Sequence, residues 1–199
     1  VEVASTIGTA KYTPDTDFNG ADTVTVTAND GGNSGSGGGG NVSETITLNV
    51  DAVNDDPVWT VPGSPESPLE DVQTSITGIS VVDVDADDGT PPALTLTLAA
   101  ANGVINVTAS GSASVSNNDT ASVTVTGSVT DVSSTVGTLK YTGDANYNGA
   151  DTITLTATDG GNTGTGGGGN IVENLVIAVQ AVNDKPVLAD LSGVDENLV

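Results

Sequence analysis

The residues of this chain that could do chemistry are almost all carboxylates. Asp83-Val-Asp-Ala-Asp-Asp-Gly89 places four in seven positions, and Asp51-Ala-Val-Asn-Asp-Asp-Pro-Val58 places three beside an amide. The second stretch returns 129 residues later as Gln180-Ala-Val-Asn-Asp-Lys-Pro-Val187. Across 199 residues there are 26 acidic side chains against three lysines, with no arginine, His or Cys, for a net charge of −23. Without His or Cys, Ser-His-Asp and Cys-His triads cannot be built, nor can thiolate metal sites or most zinc sites. Hydrolysis by paired carboxylates needs one acid held protonated in an apolar pocket, and nothing in the sequence supplies that. Dense carboxylate and amide oxygens suit a hard divalent cation instead. The same charge removes the basic footprint that nucleic acids require and disfavours anionic membrane surfaces. No run of 18 apolar residues exists, so no membrane insertion is expected in this segment.

The acidic run at 83–89 is not an EF-hand loop. Asp88 stands where that loop needs Gly, and Leu94 where it needs a bidentate Glu. If these carboxylates meet at an ion, the fold must bring them together. The patterning predicts how. Thr152 to Ala157, Ala93 to Leu98 and Ser122 to Thr126 alternate apolar and polar residues, as do Leu175, Ile177 and Val179. Val104 to Val107 adds a further strand, and Asn102-Gly103, Asn148-Gly149 and Asp159-Gly160 supply turns. Helical periodicity is confined to a turn or two over Val129 to Val136. About seven short antiparallel strands in a stretch of this length predict an all-β, Greek-key β-sandwich.

Residues 8–58 align without a gap on residues 137–187, with 32 identities in 51 positions. Such self-similarity means tandem modules. The 129-residue period makes 57–185 a complete module, 1–56 the C-terminal half of another, and 186–199 the start of a third. With no initiator Met and no signal peptide, the chain reads as part of something longer.

Three recurring motifs carry a family resemblance. They are Tyr-Thr-x-Asp-x-x-x-Asn-Gly-Ala-Asp-Thr (12–23 and 141–152), a strand ending in Ala-x-Asp-Gly-Gly (28–32 and 157–161), and Ala-Val-Asn-Asp-x-Pro-Val. Together they resemble the bacterial cadherin-like (Ig-like) repeats of giant secreted surface adhesins. That resemblance implies Ca²⁺ at module junctions, held by residues pooled from both neighbours and the linker. Carried across residue by residue, it nominates Asp15, Asp17, Asn54, Asp55, Asp83, Asp85 and Asp159 for the first junction. For the second it nominates Glu70, Asp144, Asn146, Asn183 and Asp184, with Glu196 as the counterpart of Glu70 in the following segment. The linker departs from the cadherin pattern by one extra residue before its Asn and one fewer before its Pro.

The implied function is a non-enzymatic, calcium-stiffened extender in an extracellular adhesin, at a bacterial cell surface or secreted. Its partners would be neighbouring modules of the same chain. The alternatives are a structural subunit of a self-assembling filament or surface layer, in which identical chains also meet, and a carbohydrate-binding module. The last lacks its usual aromatic platform, for the chain has five aromatic residues in all.

The Gly-rich runs at 31–40 and 160–169 end in Asn41 and Asn170, where a phosphate-binding loop needs Lys, so they read as mobile connections. The Thr-x-Thr rows read as ordinary exposed strand positions. Trp59, just past the linker, could pack at the junction or plug the sandwich end.

Overall fold

A computed structural model of the chain describes residues 7–32, 37, 39–63, 65–88, 94–161 and 163–186. Leu188, Glu196 and the rest of the proposed third module beyond Pro186 lie outside them.

The alternating segments form the main sheet. Strands β1 (Gly20–Asn29) and β2 (Asn41–Val50) make a hairpin of their own. Then come β3 (Val58–Thr60), β4 (Thr74–Ser75), β5 (Ser80–Val82), β6 (Leu94–Ala100), β7 (Gly103–Asn106), β8 (Ser114–Ser116) and β9 (Ser122–Gly127). A helix, α1 (Val129–Val136), precedes β10 (Lys140–Gly143), β11 (Gly149–Thr158) and β12 (Ile171–Val179). Five strands pair antiparallel in the order β12-β11-β6-β9-β8, and β4-β10-β7 form a second antiparallel sheet. Leu94, Leu96 and Leu98 turn inward while the threonines between them are half-buried, the outcome that a period of two dictates. Ile76, Ile105 and Tyr141 from the smaller sheet's side share one core with Leu96, Leu98, Val123, Val125, Ile153, Leu155, Leu175 and Ile177. The fold is an all-β sandwich, and its core residues run from Trp59 to Val179.

Two smaller elements complete the sandwich. Helix α1 is capped by Ser128, whose hydroxyl accepts from the Asp131 N–H, and buries Val132, Thr135 and Val136. The segment from Glu66 to Leu69 runs parallel to β12, bridging Ile177 and Gln180. Trp59 sits in the core at 9% exposure, opposite Val81, with its indole N–H directed at the Ile171 carbonyl at 3.4 Å. Of the two placements open to it, the structure selects the sandwich interior.

The internal repeat is reproduced in the pairing. β1 and β2 pair from Gly20↔Val50 to Asn29↔Asn41, and β11 and β12 start in the same register at Gly149↔Val179. The surroundings differ. Ile46 is 51% exposed, whereas Leu175, its counterpart, is 1% exposed.

A polar knot also recurs. Tyr141 donates its hydroxyl to Asp151 at 2.7 Å, and Asp151 also accepts from Thr152 N–H at 2.7 Å, Asn102 N–H at 3.2 Å and the Asn102 amide at 3.3 Å. Tyr12 and Asp22 form the same pair in the hairpin, at the surface. Burial works to raise the Asp151 pKa, but these donors outweigh it, Tyr141 foremost, and hold the carboxyl below its ordinary range. A carboxyl depressed in the folded state contributes stability that is present above its unfolded pKa and lost as pH falls through the folded one. Tyr141→Phe should cost about 1.5–3 kcal/mol in urea unfolding, the range for a hydrogen bond to a charged group. It should also move acid unfolding to higher pH. Tyr12→Phe should change little.

Candidate metal centre

The Asp83 turn is built by its own first carboxylate. Asp83 Oδ1 accepts from the backbone N–H of Asp85 at 3.1 Å and of Ala86 at 2.9 Å, closing a tight Asx-type turn. Asp87 faces away, and its Oδ1 accepts from the Val129 N–H at 2.9 Å, at the first residue of α1. An anion suits a helix N-terminus, and the bond braces the turn against the sandwich. Asp85 Oδ2 reaches the linker and accepts from the Asp55 N–H at 3.1 Å.

The linker is held from its other side by the Gly-rich run at 160–169. Val53 and Thr165 form a parallel bridge; Asn54 N–H donates to the Thr165 carbonyl at 3.3 Å, and Thr165 N–H to the Ala52 carbonyl at 3.1 Å. This corrects the expectation of a merely mobile connection, because glycine here permits close approach of two backbones. The other run lies partly outside the described residues. The Asn54 amide donates to Asp159 Oδ2 at 2.6 Å and to the Asp55 carbonyl at 2.9 Å. Asp159, at the end of β11, accepts from Gly161 N–H through its other oxygen at 2.9 Å.

Asp83, Asp85 and Asp159 each thereby present a carboxylate oxygen within 4.8 Å of the others. Two oxygens on opposite sides of an ion at about 2.4 Å would stand about 4.8 Å apart, so this spacing fits one shared calcium-sized cation. Among the described residues it is the one such group of carboxylates, and it is largely buried: Asp159 is 1% exposed and Asp85 8%, Asp83 is half-buried, and the adjoining Asn54 is 6% exposed. Three buried side-chain oxygens among the described residues have no hydrogen-bond partner: Asn54 Oδ1, Asp83 Oδ2 and Asp85 Oδ1. All belong to this one cluster. Native proteins rarely leave such atoms unsatisfied, and three together, all acceptors, are a set that could hold a cation.

The remaining first-junction residues lie beside the cluster. Asp15, Asp17 and Asp55 line a cavity of about 300 Å³ with Asp51, Asp85 and Asp88. Asp17 and Asp55 also line a neighbouring cavity of about 310 Å³ with Asp56 and Asp83. Asp51 is not among the ligands that the resemblance nominates, and its place beside Val50 at the end of β2 brings it here. At the second junction, Glu70 is 3% exposed and accepts from the Val182 N–H at 2.6 Å, so it grips the second linker. Asp144, Asn146, Asn183 and Asp184 are exposed, and no carboxylate group of the first kind forms there among the described residues.

Burial raises the Asp83 pKa to about 6; the Ala86 and Asp85 N–H groups oppose the shift and the Asp85 carboxyl adds to it. A carboxyl raised in the folded state destabilises it once ionised, so stability is lost as pH climbs from 3.8 to about 6. In chelator, Asp83→Asn should therefore melt above the unsubstituted protein at pH 7, and the difference should vanish below about pH 4. Thermal melts of both proteins across that range check this.

No protein-family model matches the chain, and no curated protein matches it. Among solved structures the chain is similar to domains 4 and 5 of the S-layer protein SbsC, at 17% identity and a TM-score of 0.27. The match covers 69% of this chain and 52% of that one, so the chain spans about half the length of that structure.

Proposed function

We propose that the chain is a non-enzymatic, calcium-stiffened extender segment of a bacterial extracellular adhesin, made of tandem β-sandwich modules divided at residues 56/57 and 185/186. The observation that carries this reading is the set of three unpartnered buried oxygens, drawn from a linker and from the turn after β5. Calcium takes six to eight oxygens and tolerates irregular geometry, which suits one amide, three carboxylates and nearby carbonyls. Asn54, Asp83, Asp85 and Asp159 would hold the ion, and Asp15, Asp17 and Asp55 would extend the site towards the hairpin. Bound there, it would supply the positive charge that the cluster lacks and tie the linker to the sandwich.

Stiffening follows from electrostatics. Without an ion, carboxylates from the hairpin, the linker and the turn repel one another across the cavities they line. With one, both sides of the joint are drawn to a common centre. The division into modules is supported by the copied strand register and by a core confined to residues 59–179.

Two measurements test the reading. Calcium at about a hundred times its dissociation constant should stabilise the chain by about 2.7 kcal/mol, seen as a raised melting temperature. Asp83→Ala with Asp85→Ala should remove most of that rise, and an unchanged rise would place the ion elsewhere. In small-angle scattering, the maximum dimension should fall on adding chelator and recover with calcium. Superimposable curves would mean a joint rigid by packing alone. Sedimentation in millimolar calcium should give a monomer; a polymer would favour the filament or surface-layer alternative.

A further inference from the structure

We propose that the loop from Thr163 to Gly168 is a clasp that positions Asn54 in the cation site, a role that rests on the calcium reading. The loop reaches two of the four residues that would hold the ion, and Gly161 before it reaches a third. Thr163 Oγ1 donates to the Asp85 carbonyl at 3.3 Å, Thr165 pairs with the linker backbone on both sides of Val53, and Gly161, at the loop's neck, donates to Asp159. The linker thus lies along the loop as a short added strand, and its position sets where the Asn54 side chain emerges.

The fit depends on missing side chains. A Cβ at Gly164 would stand 2.4 Å from the Ala52 carbonyl oxygen. One at Gly167 would stand 2.2 Å from Asn54 Nδ2 and 3.0 Å from the Asn54 carbonyl oxygen. Both glycines have positive φ, +84° and +60°, which an L side chain rarely adopts. With the loop seated, the Asn54 amide nitrogen is engaged by Asp159 and the Asp55 carbonyl, and Oδ1 is left as the acceptor among the carboxylates. With the loop displaced, the linker loses its pairing to Thr165, and Asn54 is free to leave the cluster. Gly164 and Gly167 are positioning residues: they bind no ion and act through Asn54. Linkage makes the effect reciprocal, so a bound ion tightens the clasp.

Calcium titration calorimetry on the full chain tests this. Gly164→Ala and Gly167→Ala should each weaken binding roughly tenfold, as expected when the competent conformation becomes a minority state. Gly169→Ala, whose Cβ would meet nothing within 4 Å, should bind as the unsubstituted protein does. Terbium luminescence lifetimes in H₂O and D₂O give a readout that a loss of fold stability alone would not move: Gly167→Ala should admit about one more water to the ion. Unchanged affinity and hydration in both variants would overturn the clasp while leaving the calcium reading intact. If the unsubstituted protein binds no calcium, that reading fails instead. Amide exchange in chelator then decides the clasp: slow Asn54 and Thr165 amides that become fast in Gly164→Ala sustain it, and fast amides in both proteins overturn it.

Discussion

Carboxylates taken out of water with no positive side chain to meet them form the constraint on which this structure turns. Asp83 and Asp85 accept their hydrogen bonds from backbone N–H groups, which satisfy one oxygen of each and leave the other unpartnered. Burying an ionised group without a partner costs several kcal/mol, so a cluster of this kind persists only if the fold around it leaves no alternative. The fold does this from three directions. Helix α1 holds the turn through Asp87, the end of β11 places Asp159, and Thr165 of the glycine loop accepts from the Asn54 backbone N–H. Each anchor is a bond to the sandwich, whose apolar interior is far larger than the site and supplies the stability that the site consumes.

The sandwich handles another buried acid differently. Asp151 is as buried as Asp85 and Asp159, at 4% exposure, but it is surrounded by donors from Tyr141, Asn102 and Thr152. Its pKa is lowered where that of Asp83 is raised. Asp85, at 8% exposure, is the like-for-like comparison: both Asp151 oxygens accept hydrogen bonds, whereas Asp85 Oδ1 has no partner. The distinction lies in the count of donors around each oxygen, since burial is common to both.

The long strands were legible because alternation over six or more residues is hard to satisfy otherwise: β6, β9, β11 and β12 stand close to where the pattern places them, and α1 spans the one short helical stretch. Of the short strands, β7 was legible beside its Asn-Gly turn, but β3, β4, β5, β8 and β10 were not, because two to four residues carry little periodicity and owe their pairing to long-range neighbours. Asn54, Asp83, Asp85 and Asp159 were legible through motif resemblance, and the structure brings all four together. The glycine loop was misjudged for a physical reason. Glycine raises the entropy of a free chain and also allows two backbones to touch, and composition alone does not say which property is in use.

The distribution of donors gives the joint an order of assembly on the calcium reading. Asn54, Asp83, Asp85 and Asp159 all lie between the linker and the end of β11, so a first ion would need only the linker and the sandwich beyond it. The hairpin side contributes Asp15, Asp17 and Asp51, which line cavities and are exposed. On that reading these residues would add ligands to a centre already formed, and their capture would join the hairpin to the sandwich. Affinity would therefore be set by the buried cluster, and stiffness by the exposed carboxylates around it. The second linker shows the sandwich's contribution at its other end: Glu70 holds Val182 directly, so that linker leaves the module in a fixed direction before any ion is considered.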